Sequence, residues 1–348
     1  MLTLISVGGI RVTSRADGLL WLKGKYIMAH ALEMVNGEAQ MAWAGELPWH
    51  GLGTKVPADL TPEQIMQAAG LDWEVAKTPL FTHVNGETIR VNAKSALVRT
   101  SDNRILDVVG KDWNPVQNSE AFNFFNDFVA AGDMEMNTAG SLNDGRNVWA
   151  LAKINESFEI LGHDRVEGFL LFSNPHQYGK SIEIRFTPIR VVCANTLAMA
   201  MGSSFTSRFS AGHRSQFNAD LAKEALGISK EKLAKYKEMA EYLSSKRFTN
   251  ETIVEYFNRI FPAVSNAKAE EGELASRPAR TVYEALESQP GAEFGRGTWW
   301  QAFNAVTYAT DHILGRSTES RLQSAWFGAN QNRKIQAANI AMEMAEAA

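Results

Sequence analysis

The sequence predicts an α+β protein, with an antiparallel, β-rich N-terminal two-thirds carrying embedded helices and a helical C-terminal third. Three observations carry that expectation. Short apolar segments that alternate with polar residues, divided by Asn-Gly and Asp-Gly turns, run from Trp73 to Phe186. After about residue 215 the apolar positions recur every three or four residues. The 348-residue chain is 45% apolar and holds nine tryptophans, enough to bury a sizeable core.

Each element has its own warrant. Trp43 to Gly53 holds three glycines, a proline, two tryptophans and a histidine, and reads as a loop pinned by aromatic side chains. Thr61-Pro62-Glu63-Gln64 supplies an N-cap with proline at the first helical position, opening a helix that ends near Gly70. Phe81 to Val84 and Thr88 to Val91 flank Asn85-Gly86, the pair favoured in a two-residue hairpin turn because both residues adopt positive φ. Ser101-Asp102-Asn103 turns the chain into a third strand, Ile105 to Val109. Ser119 caps a helix over Ala121 to Ala131, where Phe122, Phe125, Phe128 and Val129 recur at helical spacing. Strands follow at Val148 to Ala152, Phe158 to Ile160, Gly168 to Phe172 and Ser181 to Phe186. Pro188 interrupts this pattern; Arg190 to Met201 is expected to form a buried helix ending at Gly202, before a strand over Phe205 to Phe209. Helices are expected over Ala219 to Leu226, Lys230 to Ser244, Thr252 to Phe261, Arg280 to Leu286, Trp299 to Leu314 and Glu319 to Ala345. The domain reading is a disordered N-terminal extension over 1–27, an α+β domain over 28–214 and a helical region over 215–348 packed on it, with an exposed linker near 265–277.

Composition narrows the chemistry. One cysteine excludes an intrachain disulfide framework and any multi-cysteine zinc or iron–sulfur site, and fits a reducing cytoplasm. No apolar stretch approaches the roughly 20 residues needed to span a bilayer, and no secretory signal is expected, since Arg11 and Arg15 follow the apolar start. The seven histidines are scattered without paired helical spacing, no GxxxxGK[ST] or GxGxxG motif is present, and no metal or nucleotide cofactor is expected. Net charge is −4, yet His176 to Gln216 carries five Lys or Arg against one acid. Such a local excess is what an anionic ligand feels within a Debye length of about 8–10 Å.

That basic stretch supplies the candidate binding residues. Arg185, Arg190, Arg208 and Arg214 are interleaved with Phe186, Phe205, Phe209 and Phe217, the mixture of guanidinium groups and aromatic faces that single-stranded nucleic acid requires. A solvated basic face over a phenylalanine core explains the same residues equally well. Trp300 is a further stacking candidate, although packing of its helix on the β-domain is the plainer account of Trp299, Phe303 and Val306. Cys193 is a nucleophile candidate if His213 or His312 lies beside it, and otherwise a small buried hydrophobe.

Pro48-Trp49-His50-Gly51-Leu52-Gly53, Thr138-Ala139-Gly140-Ser141-Leu142, the run from Thr187-Pro188-Ile189-Arg190 to Asn195-Thr196-Leu197, Gly297-Thr298-Trp299 through Val306, and Asp311-His312 together resemble the recurring blocks of a phage- and plasmid-associated family, domain of unknown function 932. The resemblance runs over almost all of the chain after Met28. It departs from the family at Asn174-Pro175-His176, where members often show a His-Asp-Gly turn. It implies a role in mobile-element DNA metabolism and brings no catalytic residues with it. The order hairpin, third strand, helix over Phe81 to Ala131 is also similar to the core of phage single-strand annealing proteins, which use a basic groove along such a sheet.

The expectation is therefore a non-enzymatic nucleic-acid-binding protein, for single-stranded DNA binding or annealing in recombination, and a candidate homo-oligomer. Arg185, Arg190, Arg208 and Arg214 would meet phosphates, with Phe205, Phe209 or Trp300 stacking on bases. The alternatives are an enzyme with a pocket around Cys193, Arg190 and His213, and a protein that binds a host protein to counter defence.

Overall fold

The computed structural model describes residues 6–7, 10–11, 32–45, 52–190, 195–196, 208–211, 213, 220–263, 272–315 and 318–347. In chain order the elements begin with β1 (Ser6–Val7), β2 (Ile10–Arg11), β3 (Met34–Val35), β4 (Glu38–Ala39), β5 (Met41–Trp43), β6 (Thr54–Lys55) and α1 (Pro62–Ala68). Then come β7 (Val75–Val84), β8 (Glu87–Arg99), β9 (Arg104–Gly110), α2 (Asn118–Asn123) and α3 (Asn126–Ala130). The central strands are β10 (Met134–Leu142), β11 (Asn147–Ile160), β12 (Asp164–Pro175) and β13 (Ile182–Arg190), with β14 (Asn195–Thr196) and β15 (Arg208–Ala211). The helices α4 (Asp220–Ser245), α5 (Asn250–Ile260), α6 (Arg277–Ser288), α7 (Trp299–Tyr308), α8 (Thr318–Phe327) and α9 (Ala329–Glu346) follow. The chain is α+β, β-rich first and helical last.

The main sheet runs in the order β14-β13-β12-β11-β10-β5-β6, with β15 also on β13. All of its pairs are antiparallel except β5 with β6. One face packs Ala139, Val148, Ala150, Leu170, Phe172, Ile184 and Phe186 against α1 to α3 and the separate sheet β7-β8-β9. The opposite face buries Trp43, Trp149, Leu151, Phe169 and Leu171 under Leu32 and Trp326 of α8. Ile160 and Val166, where β11 turns into β12, enter the core of α4 to α7 and α9. Trp299, Trp300 and Phe303 sit at the centre of that helical core.

The local signals behave as their chemistry demands. Thr61 and Gln64 form a reciprocal capping box on α1. Asn85 and Gly86 take φ of 50° and 84°, closing β7 onto β8.

Several expectations are corrected. β10 was not anticipated, because Thr138 to Leu142 are all buried and a strand covered on both faces loses its polar alternation. Pro188 does not interrupt its strand but lies inside β13. It faces Gly168, in the gap between the residues that pair with β14 and those that pair with β15, where no neighbour needs its missing N–H. The helix expected over 190–201 is contradicted where it is described: Arg190 ends β13, and Asn195–Thr196 form β14 against it. The two helices expected on either side of Gly227 are one, α4, since a lone glycine costs a helix only about 1 kcal/mol. Conversely, the helix expected over 121–131 divides into α2 and α3, and the last one divides at Gly328 into α8 and α9. Of residues 1–27, Ser6–Val7 pairs with Ile10–Arg11, and the rest lie outside the described residues.

Candidate nucleic-acid interface

Of the arginines read from the sequence, Arg185 has a described side chain, and it does not lie on an open phosphate-binding face. Arg185 is 8% exposed, and its Nη1 donates to the Trp326 carbonyl at 2.8 Å. The guanidinium also pairs with Glu183 and lies 5.5 Å from the centre of the Phe327 ring. Its charge therefore satisfies a carbonyl at the C-terminal end of α8, where orphan acceptors and the helix dipole favour a cation. Burial pulls its pKa down to about 10. Arg208 lies directly opposite Arg185 in the β13–β15 register and Phe209 opposite Ile184, while Arg190 faces Asn195. Phe205 and Arg214, like Cys193 of the alternative pocket, lie outside the described residues.

Trp300 does not offer a stacking face. It is 1% exposed, its Nε1 donates to Asp164 Oδ2 at 2.8 Å, and its ring packs against Tyr236 and Phe303. Packing, the plainer account of this helix, is its role in the fold.

The exposed chemistry lies instead on the sheet β7-β8-β9. Among the described residues ten large apolar side chains are exposed, and six of them (Phe81, Val84, Ile89, Ile105, Val108 and Tyr178) belong to this sheet or lean on its edge. Single exposed apolar residues are ordinary, but more than half of those described fall on this one sheet. The inner half of the sheet is anchored: Val75, Leu97, Leu106 and Val109 are core residues. Gln117 exchanges hydrogen bonds with the backbone of Val75, and Lys77 Nζ donates to the carbonyls of Lys111 and Trp113.

Beyond a register break between Pro79 and Phe81, the paired segments 81–84 and 87–90 form a ribbon whose side chains are all exposed. There Phe81 (54% exposed) stands directly opposite the exposed Arg90, and His83 Nδ1 meets Thr88 Oγ1 at 3.0 Å. The second exposed ring, Tyr178 (53%), lies under Lys94 Nζ at 4.9 Å and is tied to β9 by its N–H donating to Asp107 Oδ2 at 2.8 Å. Tyr178 thus stands beside a cation, and Phe81 faces one in the strand register. One sequence signal contained the first pair: in a two-residue turn centred on Asn85-Gly86, partner numbers sum to a constant that joins Phe81 to Arg90.

A buried charge network holds the base of the sheet in place. Arg99, 3% exposed, pairs through Nη1 with Glu33 Oε1 at 2.6 Å, and through Nε and Nη2 with Asp102. Its guanidinium also lies over the Trp73 ring. Hydrogen bonds donated to Asp102 first, then to Glu33, hold Arg99 fully charged, and Arg99 in turn lowers the Asp102 pKa to about 2.

Among the described residues no group of three or more His, Cys, Asp or Glu side chains is placed to hold a metal ion, and no helix is long and apolar enough to cross a membrane. A family model described as "Domain of unknown function (DUF932)" matches residues 105–326. The Pro48 to Gly53 block lies outside that match. No curated protein and no solved structure matches the chain.

Proposed function

Because the chain belongs to the DUF932 family, whose description carries no activity, we propose a function from its surface: non-enzymatic binding of single-stranded nucleic acid along the sheet β7-β8-β9. The observation that supports this reading is the placing of cations by two exposed rings, Lys94 over Tyr178 and Arg90 opposite Phe81 in the strand register. Bases splayed from a single strand gain about 1–3 kcal/mol each by stacking on such rings, while Arg and Lys neutralise the adjoining phosphates. A duplex hides its base faces and gains only the phosphate term. The phage and plasmid setting that the family resemblance implies makes DNA in strand annealing or recombination the substrate in view. The apolar residues Val84, Ile89, Ile105 and Val108 on the same sheet favour a second reading, a protein contact such as self-association.

Fluorescence anisotropy with labelled single- and double-stranded oligonucleotides across a salt series tests the proposal. The wild type is expected to prefer the single strand. Arg90→Glu with Lys94→Glu should reduce the log–log salt slope by about 1.4, at roughly 0.7 per lost phosphate contact. Phe81→Ala with Tyr178→Ala should weaken binding with little change in slope. No binding at low salt, or equal binding by both double variants, would overturn the assignment.

A further inference from the structure

The outer surface of α9 differs from that of the other long helix, α4. Over Lys230 to Glu241 the exposed positions of α4 are Lys230, Glu231, Ala234, Lys237, Glu238 and Glu241. The ion pairs Lys235–Glu231 and Lys237–Glu241 run along it, the ordinary chemistry of a solvated helix face. Over Ala329 to Ile340 the exposed positions of α9 are Ala329, Asn332, Gln336 and Asn339, and all four are uncharged. Depletion of charge on an accessible surface is the compositional mark of an interface core.

The same carboxamides line a groove. Asn332, Gln336 and Asn339, with Arg259 of α5, surround a volume of about 570 Å³ whose apolar side is Ile335 and Ile340. Gln336 Nε2 donates to the Arg259 carbonyl at 3.3 Å, and Arg259 Nη2 donates to Glu343 Oε2 at 2.7 Å, so both ends of the wall are held in place. Asn332, Gln336, Asn339 and the exposed Glu343 follow one another at intervals of four, three and four residues. That spacing keeps side chains on one seam, the seam along which helices pair, and here it runs for about 16 Å.

The chemistry of the seam names its occupant. A carboxamide carries donors and an acceptor and is complementary to another carboxamide, whereas a carboxylate only accepts and is complementary to a carboxamide N–H. An antiparallel second copy of the seam, with the twofold axis between Ala337 and Ala338, sets Asn332 opposite the partner's Glu343 and Gln336 opposite the partner's Asn339. Each contact recurs across the axis, as an isologous interface requires. A parallel copy would set Glu343 against the partner's Glu343, which like charge opposes. We infer that this seam of α9 is the surface through which two copies of the chain associate, antiparallel, as a dimer. One helix seam is small beside the roughly 800 Å² per partner of a standard interface, so the dimer forms weakly, in the micromolar range. The inference is independent of nucleic-acid binding by the sheet.

Sedimentation velocity of the full chain from about 1 to 100 µM tests this, and a monomer–dimer equilibrium is expected. Gln336→Glu with Asn339→Glu sets like charges face to face twice across the axis and should raise the dissociation constant more than about 100-fold. Both positions are exposed, so circular dichroism should show the fold unchanged. A second measurement reads the register directly. Chains carrying Gln336→Cys, mixed with chains carrying Asn339→Cys and oxidised, should form a disulfide between those two positions, located by peptide mapping, more readily than either variant alone. A wild type that is monomeric at every concentration would overturn the assignment, whether or not the variants fold. A dimer that the glutamate variant leaves unchanged would overturn it too, by placing the contact elsewhere, as on the exposed sheet.

Discussion

Replacing Arg99 with methionine is the sharpest probe of how the exposed sheet is held on the molecule. Arg99 joins β8 to Glu33, ahead of β3, and to Asp102 in the β8–β9 turn, and the Glu33 side chain is fully buried. Methionine keeps the volume over Trp73 but removes the charge. Glu33 then keeps the Ser141 hydroxyl at 2.9 Å and Arg104 only at 3.8 Å. Removing one partner of a buried ion pair costs about 3–5 kcal/mol, because the remaining charge stays desolvated. The Asp102 contact is 40% exposed on its acidic side and adds at most about 1 kcal/mol. The Ser141 hydrogen bond offsets part of this, so a loss of about 3–4 kcal/mol is expected in urea denaturation followed by tryptophan fluorescence. Adding Glu33→Gln should restore most of it, since an uncharged amide tolerates the site. A single-variant loss below about 1 kcal/mol, or a double variant no more stable than the single, would refute the reasoning. The same network sets an acid response. The folded Asp102 pKa of about 2 lies below its ordinary carboxylate value of 3.8. Its contribution is therefore fully present above that ordinary value and is lost as pH falls towards 2; in Asp102→Asn this part of the acid transition should be absent.

Arg185→Met removes the donor to the Trp326 carbonyl and the partner of Glu183. It should cost about 3 kcal/mol in chemical denaturation while leaving the oligonucleotide salt slope of folded protein unchanged. Trp300→Phe deprives the fully buried Asp164 of one donor and should lower stability by about 1–3 kcal/mol in the same assay, again without altering oligonucleotide affinity. Gly86→Ala forces a side chain to φ of 84° with open space around it, so its cost is backbone strain alone, about 1–2 kcal/mol. Because that strain falls at the ribbon tip, hydrogen exchange should quicken in 81–90 but not in β11, and single-strand affinity should drop.

Local chemistry was legible wherever one residue type meets one backbone need. Asn85-Gly86, Thr61 with Gln64, and the shift to helical spacing after the sheets all placed elements correctly, because positive φ, orphan N–H groups and a single apolar face leave few solutions. Burial on two faces was not legible. β10 and the end of β12 sit between α1 to α3 on one side and α8 on the other, and a strand enclosed in that way reads as a featureless small-residue or apolar run. The same blindness applies to Arg185. Counting charge along His176 to Gln216 could not reveal that Arg185 points at a helix end, since that requires knowing that α8, some 140 residues later, lies over β13.

The contrast between Phe81 and Trp300 shows which sequence argument transfers to function. Both are aromatic residues with a polar neighbour, and composition ranks the tryptophan above the phenylalanine as a stacking face. What separates them is the number of elements that can cover them. Trp300 lies in α7, which α4, α6 and α9 surround, so its polar atom must find an internal partner and finds Asp164. Phe81 lies past the register break of a hairpin, where only the two paired strands exist and their N–H and C=O groups satisfy each other. A two-stranded ribbon has no third layer to bury its side chains, so aromatic and β-branched residues there are exposed by topology. Such side chains gain little for the monomer, which is why the proposed function assigns them to binding. A long hairpin closed by Asn-Gly, with a register break near its base and rings near its tip, is thus a better sequence pointer to an exposed surface than an arginine inside a central strand such as Arg185.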